Sequence, residues 1–215
     1  MKKQLLCAAP LAFMFSVGHA NDSTPQMHPL EAACIEYEMS GQMQNGTMTR
    51  CHRDYGYETY EIQNVTMGMA GFTQTTNQHS ITVGDTIYTI NLDTNAGTQT
   101  TNPLYAQLSS AMENSSPEEM SETFLSAMGF TPTGQTKTIA GESCTVYNSS
   151  MMGTGCFTDT GLMLEQTIMG NTTVATSVTI GDGGDDANYT LYQNVPITEG
   201  PDIGNIMDMM NSGNN

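Results

Sequence analysis

Basic residues are nearly absent from this sequence. Five lysines and arginines stand against 22 aspartates and glutamates among 215 residues. So acidic a surface repels phosphate backbones and anionic lipid head groups, which excludes nucleic acid as a partner. There is no tryptophan, and aromatic residues make up only 7% of the chain. Beyond residue 20 no run is apolar enough to read as a membrane span of about 20 residues. Neither a Gly-x-Ser-x-Gly elbow nor a Gly-x-x-x-x-Gly-Lys phosphate cradle occurs. Nothing in the pattern demands catalysis, so the protein is expected to be no enzyme and to use no cofactor.

The single long apolar run opens the chain. Lys2 and Lys3 precede residues 5–17, and Gly18 and Ala20 fill the small positions ahead of Asn21. This is the pattern of a secretory signal peptide over residues 1–20. Its removal takes Lys2, Lys3 and Cys7 away. Arg50, Arg53 and Lys137 then face all 22 acids, for a net charge of −19. The expected product is periplasmic or secreted, monomeric and without a transmembrane segment. Residues 21–30 read as a disordered leader and 31–200 as one domain. Residues 201–215 read as a short helix and frayed tail.

Four cysteines remain: Cys34, Cys51, Cys144 and Cys156. An even number in an exported chain predicts disulfides. The local pairing, Cys34 with Cys51 and Cys144 with Cys156, fits each pair across its own hairpin. In the first hairpin Met39 would oppose Gly46. In the second Val146 would oppose Thr154, and Asn148 would oppose Met152. Zinc is disfavoured, because no close cysteine pairs of the ribbon type are present.

Strand periodicity dominates the pattern. It predicts strands at 33–39, 47–55, 57–67, 72–83, 86–92 and 98–101. After a helical interruption further strands follow at 135–139, 142–148, 155–158, 162–169 and 172–181, with a last one at 187–193. Asn45-Gly46 marks a turn. Two helices interrupt the strands: one starting at Asn102-Pro103, and one starting at Ser116, which forms a capping box with Glu119 and is followed by Pro117. Gly129 ends the second. The expected fold is α+β, mostly β. One strongly curved antiparallel sheet forms a half-barrel, with two or three short helices covering its concave face.

Three segments carry a resemblance: residues 53–61 (RDYGYETYE), residues 83–103 (VGDTIYTINLDTNAGTQTTNP), and residues 141–147 leading through 155–164. The Val195-Pro196 step fits the same pattern. The chain resembles a family of uncharacterised exported bacterial domains. They are related in fold to outer-membrane lipoprotein carrier proteins and mycobacterial lipid-carrying lipoproteins. The resemblance implies a half-barrel around an apolar cavity, with a lipid or lipoprotein acyl chain as its partner. It brings no catalytic residues. The relatives are richer in lysine and often carry tryptophan where Cys156-Phe157 stands.

The apolar strand positions give a candidate lining of Ile62, Val65, Tyr88, Ile90, Leu92, Val146, Leu162, Leu164, Val174 and Val178. Leu108, Phe124 and Met128 are the candidate lid residues. The leading expectation is thus a non-enzymatic carrier or binding protein for an apolar ligand. Two alternatives stand beside it. Eighteen methionines, as soft thioether ligands, open a copper-binding reading in which Met27, His28 and His52 could assist. An envelope structural or interaction module with a filled core is the other. His28, His52 and His79 have no metal-ligand spacing and read as surface residues. Asp182, Asp185 and Asp186 read as a solvated turn rather than a calcium loop.

Overall fold

The computed structural model describes residues 25–69, 72–102, 105–112 and 116–200. The expected signal peptide and the expected C-terminal helix lie outside the described residues. The strands are β1 (Ala33–Gly41), β2 (Gln44–Arg53), β3 (Glu58–Met69), β4 (Phe72–Val83), β5 (Thr86–Asn91) and β6 (Ala96–Thr101). Helices α1 (Tyr105–Met112) and α2 (Pro117–Ala127) follow. Then come β7 (Thr131–Ile139), β8 (Glu142–Ser149), β9 (Gly153–Phe157), β10 (Met163–Ile168) and β11 (Asn171–Ile180). A short helix α3 (Asp186–Thr190), a 3-10 turn at Leu191–Asn194 and β12 (Ile197–Glu199) close the described chain.

All twelve strands belong to one curved sheet, ordered β12-β6-β5-β4-β3-β2-β1-β11-β10-β9-β8-β7. Among the described residues only β12 runs parallel to its neighbour, β6. The expected mostly-β half-barrel is the observed fold class. Pairing β1 to β11 joins the strands that precede the two helices to those that follow them, near the middle of the sheet. Among the described residues no helix is long and apolar enough to cross a membrane.

Both disulfides form as expected, Cys34–Cys51 and Cys144–Cys156. Cys34 opposes Cys51, and Met39 opposes Gly46. The second hairpin differs from its expected register. Val146 opposes Cys156 and Asn148 opposes Thr154, so the bridge runs diagonally between strands. The turn is centred on Met151 rather than Ser150, one residue later than expected, and this causes the two-residue shift. Asn45-Gly46 lies inside β2 rather than in a turn. A Cβ on Gly46 would come 2.1 Å from the carbonyl oxygen of Asn64, so glycine here permits close strand approach.

Residues 187–193 are helical, not a strand. The Asp185 carboxylate accepts a hydrogen bond from the Ala187 N–H at 2.9 Å, capping α3. An aspartate N-cap outweighs the strand propensity of Tyr and Leu over so short a segment. The capping box of α2 forms as expected. Ser116 Oγ accepts from the Glu119 N–H at 3.2 Å, and Glu119 Oε2 accepts from the Ser116 N–H at 3.0 Å.

Side chains alternate between faces along each strand, and each face of the sheet is covered over part of its area. On one, Cys51, Tyr60, Ile81, Ile90 and Tyr189 form a buried cluster. The α3 helix and the segment after it close this side, where Tyr192 stacks on Tyr88 with ring centroids 3.9 Å apart. On the other face, α2 lies over the sheet. Its Ser121 abuts Gly161, and the Met128 carbonyl accepts from Ser149 Oγ at 3.0 Å.

Candidate functional site: a cavity beneath the second helix

Between α2 and the sheet lies a cavity of about 610 Å³. Ladder register explains which residues reach it. Ala33 opposes His52, Ile35 opposes Arg50, and these in turn oppose Thr59 and Glu61. Thr59 and Glu61 oppose Thr82 and Ser80. All of these side chains share one face and line the cavity. Leu125, Met128 and Phe130 close it from above, and Phe157, Leu162 and Met163 from the side.

The walls differ in chemistry. Toward β1, α2 and β10 the lining is mainly apolar, with Ala33, Ile35, Leu125, Met128, Phe130 and Leu162 beside the polar Ser121 and Gln166. The β2–β4 side is polar: Arg50, His52, Thr59, Glu61, Ser80 and Thr82. Arg50 Nε donates to Glu61 Oε2 at 2.8 Å, so a cross-strand ion pair stands at this wall. Tyr37 O–H donates to the Met163 carbonyl at 2.7 Å, tying β1 to β10. Burial pushes its phenol up to about 12, so it stays a neutral donor.

The end of the leader packs against this site. Met27 and His28 line the cavity, and Leu30 packs on the adjoining core. The His28 and His52 rings lie 4.2 Å apart. His28 Nδ1 accepts from the Leu30 N–H at 3.1 Å. His52 Nε2 lies 3.2 Å from the Leu30 carbonyl, and so donates to it. Burial, with a contribution from His52, lowers the His28 pKa to about 4, partly opposed by the Leu30 contact. His52 is lowered mainly by burial. The histidines are therefore not the surface residues expected: His52 and His79 are buried, and His28 is half-buried.

Of the residues expected to line a cavity, Leu162 and Met128 do so. Ile62, Tyr88, Ile90 and Leu92 instead belong to the filled core on the opposite face. Leu164, Val146 and Val178 pack into the core cluster around Ile35 and Tyr37. Val65 is buried and Val174 half-buried, neither at the cavity. The side chains of Leu108 and Phe124 lie outside the described residues. Sequence reasoning passed over the polar wall, although the Cys34–Cys51 register already sets Arg50 on the face opposite the disulfide.

The methionines divide between core and surface. Met48 is buried, whereas Met43, Met67, Met151 and Met169 are exposed. Among the described residues no three His, Cys, Asp or Glu side chains gather as a metal site. The three aspartates after β11 each have a local role. Asp182 Oδ1 accepts from the Gly184 N–H at 2.8 Å, Asp185 caps α3, and Asp186 pairs with Arg53.

No family model matches the chain, and no curated protein matches it in sequence. Solved structures do resemble it. An uncharacterized conserved protein from Thermus thermophilus has a TM-score of 0.50 at 5% identity, over 83% of this chain and 96% of that one. PNGF-II has a TM-score of 0.47 at 17% identity over 83% of this chain; the match spans only 32% of the PNGF-II chain. MucB, in the Pseudomonas aeruginosa MucA/MucB complex, has a TM-score of 0.44 at 13% identity, over 77% of this chain and 57% of that one. These similarities concern the fold alone.

Proposed function

We propose that the chain is a non-enzymatic exported binding or carrier protein, periplasmic in setting, whose cavity takes an amphiphile with an acyl chain. One observation carries the reading: a cavity of about 610 Å³ has a mainly apolar wall facing a polar one. That volume lies within the range of small-molecule sites, roughly 300–1,000 Å³. An acyl chain along Ile35, Leu125 and Leu162 gains about 0.8 kcal/mol per buried CH₂. A neutral or zwitterionic head group meets Thr59, Ser80, Thr82 and the Arg50–Glu61 pair, where hydroxyls and a balanced ion pair supply hydrogen bonds without net charge.

Native mass spectrometry of protein purified from its own envelope tests this. Wild type should carry a co-purified lipid of about one copy per chain. Leu125→Trp, which fills the cavity from the lid, should lose it. Ligand-free protein, both as purified and after incubation with lysophosphatidylcholine, would overturn the reading.

A further inference from the structure

The antiparallel order places the turns 41–44, 149–153 and 168–171, and the paired strand ends Met69 and Phe72, at one end of the sheet. They adjoin one another. The Gly68 N–H donates to the Met43 carbonyl at 3.0 Å, and the Met43 N–H to Asn171 Oδ1 at 3.0 Å. Thr154 pairs with Thr167 beside the last turn. Each of these places carries an exposed apolar side chain: Met43, Phe72 at 83% exposure, Met151 at 82% and Met169 at 84%. Eight strands about 4.8 Å apart spread these tips along an arc of roughly 35 Å.

This end also lacks charge. Residues 39–49, 62–84, 143–158 and 166–181 contain no Asp, Glu, Lys or Arg, in a chain with 22 acids. The opposite end is acidic: Asp54 and Glu58, Asp85, Glu142 and Asp159 stand at its four turns. One further connection, 92–95, points the same way as the apolar tips and carries Asp93. It belongs to shorter strands. Asn91 pairs with Gln78, six residues along β4 from Phe72, so it stops about 20 Å short.

We infer that this apolar rim is a docking surface for a lipid membrane with zwitterionic head groups. Exposed apolar clusters on soluble proteins mark interaction sites. A line of single protruding side chains offers a protein partner no pocket to fill, but it matches a planar lipid interface into which each tip dips separately. The charge pattern sets the orientation, because pressing the carboxylates of the acidic end against a lipid surface costs desolvation free energy, whereas the rim has no charge to desolvate. The cavity extends to this end, since Met152 lines it while Met151 stands on the rim. Docking does not require a cavity ligand, so either reading can fail without the other.

Vesicle flotation tests the docking directly. The full exported chain should partition to phosphatidylcholine vesicles, and more weakly to phosphatidylglycerol vesicles at low salt, with the gap narrowing as salt screens repulsion. The triple variant Phe72→Ser, Met151→Ser, Met169→Ser should lose at least tenfold in partitioning. Ile180→Ser, an exposed apolar residue at the opposite end, should partition as wild type. Thermal melting of each variant confirms the fold. No partitioning by wild type, unchanged partitioning by the triple variant, or tighter binding to anionic vesicles would overturn the inference. So would a dimer in sedimentation that the triple variant abolishes, because the rim would then be an interface between copies.

Discussion

Strands β3 and β4 face two different surroundings. Tyr60, Ile62, Ile81 and His79 point into a filled core closed by Tyr189. Thr59, Glu61, Ser80 and Thr82, each one residue removed, point toward a cavity. The same backbone thus carries a dry, aromatic-packed face and a hollow, hydroxyl-lined one. Close packing is the norm in protein interiors, and the filled face shows that this sheet achieves it. The hollow on the other face is a consequence of what lines it, small hydroxyl side chains opposite a spanning helix.

The sharpest way to break this contrast is truncation on each face. Ile81→Ala, at a fully buried site, should cost about 2–5 kcal/mol in urea unfolding, since it opens a new void in a packed core. Leu125→Ala borders space that already exists and should cost about 2 kcal/mol or less. Equal costs would mean that the two faces are packed alike.

Next in size is the disulfide beside the filled core. Replacing Cys34 and Cys51 together by alanine should cost about 2–4 kcal/mol while leaving lipid binding at the wild-type level. Loss of binding at unchanged stability would mean that the bridge serves the cavity.

Acid sharpens the contrast further. His79 is 2% exposed in the filled core, its Nε2 has no hydrogen-bond partner, and burial lowers its pKa. His28 beside the cavity is lowered to about 4, first by burial. Both are neutral when folded and titrate near 6.5 when unfolded, so the unfolded state takes up protons first. Stability is therefore full above about pH 6.5 and falls as pH drops below it, toward about pH 4 for His28, by at most about 1.4 kcal/mol per pH unit for each histidine. His79→Gln should flatten this fall in urea titrations run at pH 7 and pH 5. An unchanged slope would mean that His79 is protonated in the fold.

The smallest effect belongs to the lid. Ser116→Ala removes the cap of α2 and should cost about 1 kcal/mol, read by faster amide exchange in 117–127 than in the strands. Exchange unchanged across that helix would show that packing alone holds the lid.

Much of this architecture was legible in the sequence because its signals are local. The β4 span, the α2 capping box and both disulfide pairs follow from alternation, caps and cysteine spacing. The choice of cavity wall was not legible. Alternation tells which residues share a face, yet Ile62, Tyr88 and Ile90 look the same whether their face is hollow or filled. What fills it is Tyr189, on a helix more than ninety residues further along, whose only local sign was the Asp185 cap. The cavity side reads as polar, with Thr59, Ser80 and Thr82, so apolar patterning pointed to the wrong face for four of the candidate residues.

Calorimetric titration of lysophosphatidylcholine into wild type and Leu125→Trp tests the hollow face most directly. Binding at one site per chain, with a negative heat-capacity change and at least tenfold weakening in the variant, is the predicted result. Absence of binding, or equal binding by both proteins, would contradict the assignment of the cavity as a lipid site.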